Sequence, residues 1–283
     1  MEGILSIQSH VVFGHVGNSA AVFALQRSGF EVWPVMTVLF SNHTGYGPPR
    51  GRAVPVDWLR EILHGLEERG VFGRTRAVLS GYLGDPATAE VVIEAVERVR
   101  RHRPDAVYAC DPVIGDDGRG VFVRAGIPEL LRDRLVPLAT LVKPNRFELS
   151  FLAGMEVRSL EDALEAAARI RARGPELVVV TSLASPERED ALAVLADTAL
   201  GSWIVVTPRL PCALNGTGDL FAALLLGNWL VERDPERALS RTASAVFGLV
   251  EATFRARSRE LLLIAAQREL VEPTHRFTAR RLR

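Results

Sequence analysis

The run Asn215-Gly216-Thr217-Gly218-Asp219 stands immediately ahead of the apolar stretch Leu220–Val231. Glycines allow a tight turn that aims successive N–H groups at one point, and a following helix adds the positive end of its dipole. Such a turn can hold a transferring phosphoryl group, and an aspartate at its mouth can accept the proton of an attacking hydroxyl. Gly216, Thr217 and Gly218 are therefore candidates for an anion hole, and Asp219 for a base. The plainer alternative is a loop in which Thr217 or Asp219 caps the helix. No Gly-Lys-Ser/Thr follows, so the run is not a Walker loop.

Asn145-Arg146-Phe147-Glu148 places an amide and a carboxylate three residues apart on one helix face. That pair can organise a hydrated Mg²⁺ beside nucleotide phosphates. The same spacing also fits a capping box, and the four residues alone leave both readings open. Asp111, just before Pro112, offers another carboxylate for metal or phosphate. Lys143 is the one lysine among 34 Lys and Arg residues. It precedes Pro144-Asn145, which makes it a candidate phosphate contact; its alternative is an ordinary surface lysine.

Short apolar runs and helical stretches alternate along the chain and must carry these groups. Strands are predicted at Ile4–Ile7, Val32–Val38, Ala77–Leu79, Ala106–Ala109, Ala139–Val142, Leu177–Val180, Ala191–Leu195 and Trp203–Val206. Helices are predicted at Ala87–Arg101 and Leu160–Arg173, and from Thr217 almost to the end. The alternation predicts an α/β fold, doubly wound, with a largely parallel central sheet and helices on both faces. The last two strands follow one another without a helix and are expected to pair antiparallel at one edge. No repeat or linker divides the chain, so residues 1–283 are read as one domain. Ligands bind at the carboxyl ends of such strands. Ser9-His10, the 41–45 segment, Ser80-Gly81-Tyr82, Asp111-Pro112 and Lys143-Pro144-Asn145 all fall at those ends.

The composition, 48% hydrophobic and 24% charged, is that of a globular protein. Lys+Arg and Asp+Glu both total 34, which argues against a general nucleic-acid or membrane-surface role. Only Cys110 and Cys212 are present, so a reducing cytoplasm fits better than a disulfide framework. The N-terminus reads as a first strand and not a signal peptide, and no apolar run approaches the ~20 residues of a membrane span. The histidines have no spacing suited to zinc. Trp33, Trp58, Trp203 and Trp229 are read as core or interface residues.

Together the Gly-x-Gly-Asp and Asn-x-x-Glu motifs resemble those of the ribokinase superfamily. Four further blocks are similar to the pyridoxal kinases within it: Ile7-Gln8-Ser9-His10-Val11-Val12-Phe13-Gly14-His15-Val16-Gly17-Asn18, Phe40-Ser41-Asn42-His43-Thr44-Gly45-Tyr46, Leu79-Ser80-Gly81-Tyr82-Leu83-Gly84 and Cys110-Asp111-Pro112-Val113-Ile114-Gly115. Their order and spacing match from the first strand to the final helices. The resemblance implies a ribokinase-like fold and ATP-dependent phosphorylation of the 5′-hydroxyl of pyridoxal. It implies that Ser9 hydrogen-bonds the pyridine ring, that Thr44 with Gly45 lines the substrate pocket, and that Val16 and Tyr82 pack near the ring. Asp219 would be the base and residues 216–218 the anion hole. Asp111, Asn145, Glu148 and Thr181 would face ATP, with Asp111 and Glu148 serving Mg²⁺ through water and a monovalent cation admitted; Lys143, on the reading above, would add a phosphate contact. A cytoplasmic homodimer is implied as well.

Three departures stand out. Some bacterial members carry a cysteine after the Asp-Pro-Val loop where this chain has Val121. Members tend to end the strand at Val178–Thr181 with a lysine, where this chain has Thr181. The segment between Thr207 and Leu214 is short. Two other functions stay open: a kinase of the same fold acting on hydroxymethylpyrimidine or a sugar, and, from the missing lysine and cysteine, a vitamer-binding protein of low activity.

Overall fold

Central strands apolar on both faces require cover on both sides, and this requirement sets the architecture. The computed structural model describes residues 2–282. Met1 and Arg283, the ends of the unit expected from the sequence, lie outside the described residues. In chain order the elements are β1 (Gly3–Phe13), α1 (Asn18–Arg27), β2 (Glu31–Asn42), β3 (Gly51–Ala53), α2 (Val56–Glu68), β4 (Thr75–Ser80), α3 (Ala87–His102) and β5 (Val107–Cys110). A small hairpin of β6 (Gly115–Asp116) and β7 (Gly120–Val121) follows, then the short helices α4 (Ile127–Leu130) and α5 (Val136–Leu138). The second half comprises β8 (Leu141–Val142), α6 (Arg146–Ala153), α7 (Leu160–Arg171), β9 (Leu177–Ala184), β10 (Ala191–Thr198), β11 (Gly201–Pro208), α8 (Thr217–Glu232), α9 (Pro235–Arg255) and β12 (Arg280–Arg281).

Ten strands among the described residues form one sheet in the order β12-β11-β10-β9-β8-β5-β4-β1-β2-β3. From β2 to β9 the pairing is parallel. Successive residues of a strand point to opposite faces. Leu5, Ile7, Val78, Val178 and Val180 join the core beneath α2, α3, α6 and α7. Their neighbours Ile4, Ala77, Leu79, Leu177 and Val179 join the core beneath α1, α8 and α9. Helix α8 is apolar nearly all round because it is packed between the sheet and other helices.

All eight predicted strands and both bounded helices are present. The antiparallel edge differs from the expectation. β10 and β11 do pair antiparallel, but β9 and β10 do too, and β12 rather than β11 forms that edge. At the other edge β3 pairs antiparallel with β2. These added strands are only two or three residues long and carry too little pattern to be read from the sequence.

The helical reading beyond Thr217 holds only to Arg255. Arg257 adopts a left-handed φ of 52°, which ends the helical path. The chain then runs irregularly over α8 and α9, anchored by buried Leu261, Leu263 and Leu270. Ser9 and His10 do not follow β1 but lie within it, because β1 and β2 extend past the other strands and stay paired through Phe13 and Asn42. Trp58, expected in a core or interface, is largely exposed on α2. No helix of the described residues is long and apolar enough to cross a membrane.

Candidate active site

A cleft of about 630 Å³ opens at the carboxyl ends of the parallel strands. Ser9 and Val16 reach it from β1 and the turn after it, Thr44 from the end of β2, and Tyr82 from the end of β4. Asp111 enters from the end of β5, Lys143, Asn145 and Glu148 from β8 and α6, and Thr181 from β9. Gly216, Gly218 and Asp219 close it at the start of α8. Twelve separately predicted residues thus meet in one place. Gly45 is not in the cleft wall; a Cβ there would collide with the Asn215 amide at 2.4 Å, so it packs behind the glycine-rich turn. Thr217 faces a second cavity of about 330 Å³.

The floor is formed by charge. Lys143 is 4% exposed and donates to Asp111 Oδ1 at 3.0 Å; Asp111 is 3% exposed. The surface-lysine alternative is therefore wrong. A Cβ on Gly218 would lie 3.5 Å from the Lys143 ammonium nitrogen, which puts that cation beside the glycine turn. Glu148 is also buried. Its Oε1 accepts the Ile114 N–H at 3.0 Å and its Oε2 the Asn145 N–H at 2.9 Å, while Asn145 Oδ1 accepts the Glu148 N–H at 2.9 Å. The capping box and the cleft position coexist, so the two readings of Asn145 and Glu148 were not exclusive.

Burial raises the pKa of all three floor carboxyls. At Asp111 burial dominates, Lys143 opposes it, and Asp219 adds to it. At Glu148 burial again leads, Asp111 adds, and Lys143 with two backbone N–H groups opposes. Asp219 is raised by burial against the Gly17 N–H and Lys143. Burial works against the Lys143 charge too, but Asp111, Glu148 and Asp219 outweigh it and hold its pKa above the ordinary lysine value.

Two glycines make the loops fit. Gly216 has φ 84°, and a Cβ there would sit 1.8 Å from the His15 carbonyl oxygen. Gly17 has φ 54°, and a Cβ would sit 2.3 Å from both the carbonyl oxygen and Oγ of Ser9. The β1–α1 turn is thereby pressed against both Ser9 and the glycine-rich turn. The Gly17 N–H reaches the Asp219 carboxylate. Gly216 is the residue ahead of α8, and no side chain caps that helix start. The simple capping alternative for Asp219 does not hold: its carboxylate is engaged across the loops.

Val121 is exposed on the β6–β7 hairpin and is not in the cleft wall. From the same hairpin Arg119 does line the cleft; it is held by Asp116 at 2.6 Å and lies over Phe122 at 4.8 Å. Lys143 and Arg119 are the two cations among the lining residues of this cleft. Sequence reading missed Arg119, since one arginine among so many carries no signal. It also missed His43, which lines the cleft, and Glu260, which bonds to it at 2.6 Å from 217 residues away.

The second cavity shares Thr181, Ser182 and Leu214 with the cleft and lies between β10–β11 and α8–α9. Its walls include Leu192, Val194, Phe221, Val246 and Phe247, an apolar slot suited to a flat ring. Cys212 also lines it, away from the floor carboxylates. Among the described residues no three side chains cluster as direct ligands for a metal ion.

A family model described as phosphomethylpyrimidine kinase matches residues 53–261. Pyridoxal kinase PdxY of Rubrobacter xylanophilus is 54% identical over 281 residues, covering 99% of this chain and 97% of that protein. Pyridoxal kinase PdxY of Corynebacterium diphtheriae is 50% identical over 275 residues, covering 97% of each. The structure of pyridoxal kinase from Leishmania donovani in complex with ADP and pyridoxamine matches with a TM-score of 0.93 at 32% identity, over 100% of both chains. With identity of this extent from end to end and the same ribokinase-like fold, the chain belongs to the pyridoxal kinase family.

Proposed function

We infer that the chain phosphorylates the 5′-hydroxymethyl group of pyridoxal with ATP. One observation carries the reading: Asp219 stands at the start of α8 beside the Gly216–Gly218 turn and over the Lys143–Asp111 pair, in a cleft reached by Ser9, Val16, Thr44 and Tyr82. The full-length likeness to pyridoxal kinases supports it.

The ring occupies the end of the cleft at Ser9, Val16, Thr44 and Tyr82. Ser9 supplies a hydroxyl for the pyridine, and the apolar faces of Val16 and Tyr82 cover the ring. The adenine of ATP takes the slot between β11 and α9, and the triphosphate runs past Thr181 toward the glycine turn. In transfer, the 5′-oxygen forms a bond to the γ-phosphorus as the bond to the ADP oxygen breaks. The hydroxyl proton passes to the Asp219 carboxylate. N–H groups of residues 216–218 and the start of α8 receive the charge on the phosphoryl oxygens. Lys143 and Arg119 supply the fixed cations, which answers the lack of a lysine at Thr181.

Mg²⁺ fits the donor set. Asp111 and Glu148 are hard oxygen donors in the cleft wall, of the kind that bind this ion together with water and phosphate oxygens. When bound, it would offset phosphate charge. The reading also places the enzyme in the cytoplasm, consistent with free Cys110 and Cys212, and as a homodimer. Exposed Val12, Phe13 and Leu39 on the extended β1–β2 pair offer the apolar surface, and sedimentation checks the dimer.

An ADP-release assay across pyridoxal, pyridoxine, pyridoxamine and hydroxymethylpyrimidine tests the function, with Asp219→Asn as control. Pyridoxal-dependent turnover is expected. Turnover of another alcohol with no B6 vitamer would sink the reading and favour hydroxymethylpyrimidine, the second reading, which the matching family model's description supports. Tight pyridoxal binding without ADP release would mark a binding protein.

A further inference from the structure

The geometry points to Glu260 as a positioning residue that holds two ring-binding loops in register and so sets affinity for the vitamer. This rests on the pyridoxal reading above, since it concerns the ring end of the same cleft.

Thr44 opens a single 3₁₀ turn, Thr44–Tyr46, whose cap is the His43 imidazole: the Gly45 N–H donates to His43 Nδ1 at 3.1 Å. Because Nδ1 accepts, the ring proton sits on Nε2. That N–H donates to Glu260 Oε1 at 2.6 Å. The other oxygen, Oε2, accepts the His15 N–H at 2.9 Å, one residue before Val16. The Tyr46 hydroxyl also bonds to Glu260. One carboxylate therefore spans the turn bearing Thr44 and the turn bearing Val16, whose side chains both line the cleft.

The chain around Glu260 is itself held. Ser258 Oγ accepts the Glu260 N–H at 3.1 Å and donates to the Glu260 carbonyl oxygen at 2.7 Å. On one side Arg259 lies over the Tyr46 ring at 4.8 Å and donates to the Gly45 carbonyl at 3.2 Å. On the other, Leu261 is buried against Gly216. Burial opposes the Glu260 charge, yet the bonds from His43, Tyr46 and His15 hold its carboxyl below the ordinary glutamate value. Glu260 touches neither ring nor nucleotide in this arrangement; it acts through His43 and His15.

The test is steady-state kinetics on full-length Glu260→Gln, Glu260→Asp and Glu260→Ala. Glutamine keeps the shape but replaces one acceptor oxygen with an amide N–H, so His43 and His15, which use different oxygens of Glu260, cannot both keep an acceptor. Loss of one such charge-assisted bond should raise the pyridoxal KM about tenfold in Glu260→Gln, with ATP KM and kcat within about threefold of wild type. Aspartate retains two acceptors and should fall between Glu260→Gln and wild type. An unchanged pyridoxal KM in folded Glu260→Gln would overturn the inference. So would an equal rise in both KM values, since a merely structural role moves both ends of the cleft alike. If Glu260→Ala does not fold, Glu260→Gln decides alone. Pyridoxal Kd by equilibrium dialysis without ATP reads the same effect without turnover. An inactive wild type would then sink the kinase reading, while the Kd ratio still judges Glu260.

Discussion

The floor of the cleft and its ring-binding end are built by opposite means. Two parts of the floor are short runs of the chain: Asn145 and Glu148 secure one another through backbone N–H groups, and Gly216 to Asp219 form a single turn into α8, while the Lys143–Asp111 pair joins the ends of two neighbouring strands. At the ring end, the turn bearing Thr44 is capped by His43, and His43 is fixed by Glu260 from the far end of the chain. The base and the glycine-rich turn come from one contiguous motif. The groups that recognise the ring depend on a clasp closed only when the whole chain has folded. Damage at the floor should therefore appear in kcat or global stability, and damage at the clasp in affinity.

The largest separation is expected from Asp219→Asn. Loss of the base should lower kcat by about 10²–10⁴-fold with little change in pyridoxal KM. A loss under about tenfold would remove Asp219 from that role and break the contrast. The pH profile sharpens it. The base works ionised, and burial lifts Asp219 above the ordinary value of 3.8, so kcat/KM should fall as pH drops through that raised pKa. Glu260 variants should leave this acid limb in place.

Lys143→Met comes next. It strips Asp111 of its buried partner and leaves three crowded carboxyls, so chemical denaturation should show a loss of about 3–5 kcal/mol. Glu260→Gln should lose less. Equal losses would mean that the clasp, too, supports the fold as a whole.

Gly216→Ala probes the point where the two regions touch. Its left-handed φ and the 1.8 Å approach to the His15 carbonyl force both turns apart. About 1–3 kcal/mol of strain should lower kcat by about 10–100-fold and raise pyridoxal KM as well. An effect on kcat alone would show the ends to be uncoupled. The smallest effect is expected from Arg119→Ala, whose side chain is largely exposed: a rise of about threefold in ATP KM, with pyridoxal KM unchanged.

The same contrast explains what the sequence made legible. Short continuous apolar runs exposed the central strands, because burial on both faces leaves no polar alternation to interrupt the signal. Gly216 to Asp219 and Asn145 to Glu148 were readable because their chemistry is local. Glu260 was not, since nothing near it hints at His43. Arg119 was hidden among its many fellow arginines. The stretch from Leu261 to Ala266 has a helical composition, but the left-handed Arg257 and the burial of Leu261 and Leu263 route it differently. Tertiary contacts decided that segment, and they have no one-dimensional signature.

The sequence holds one lysine, and the fold buries it in an ion pair with Asp111. All other cationic side chains are arginine or histidine, which do not condense with aldehydes to form stable imines as a free amine does. Pyridoxal and its phosphate are both aldehydes. The outer surface of this protein thus offers its own substrate and product no lysine amine on which to be lost as a Schiff base.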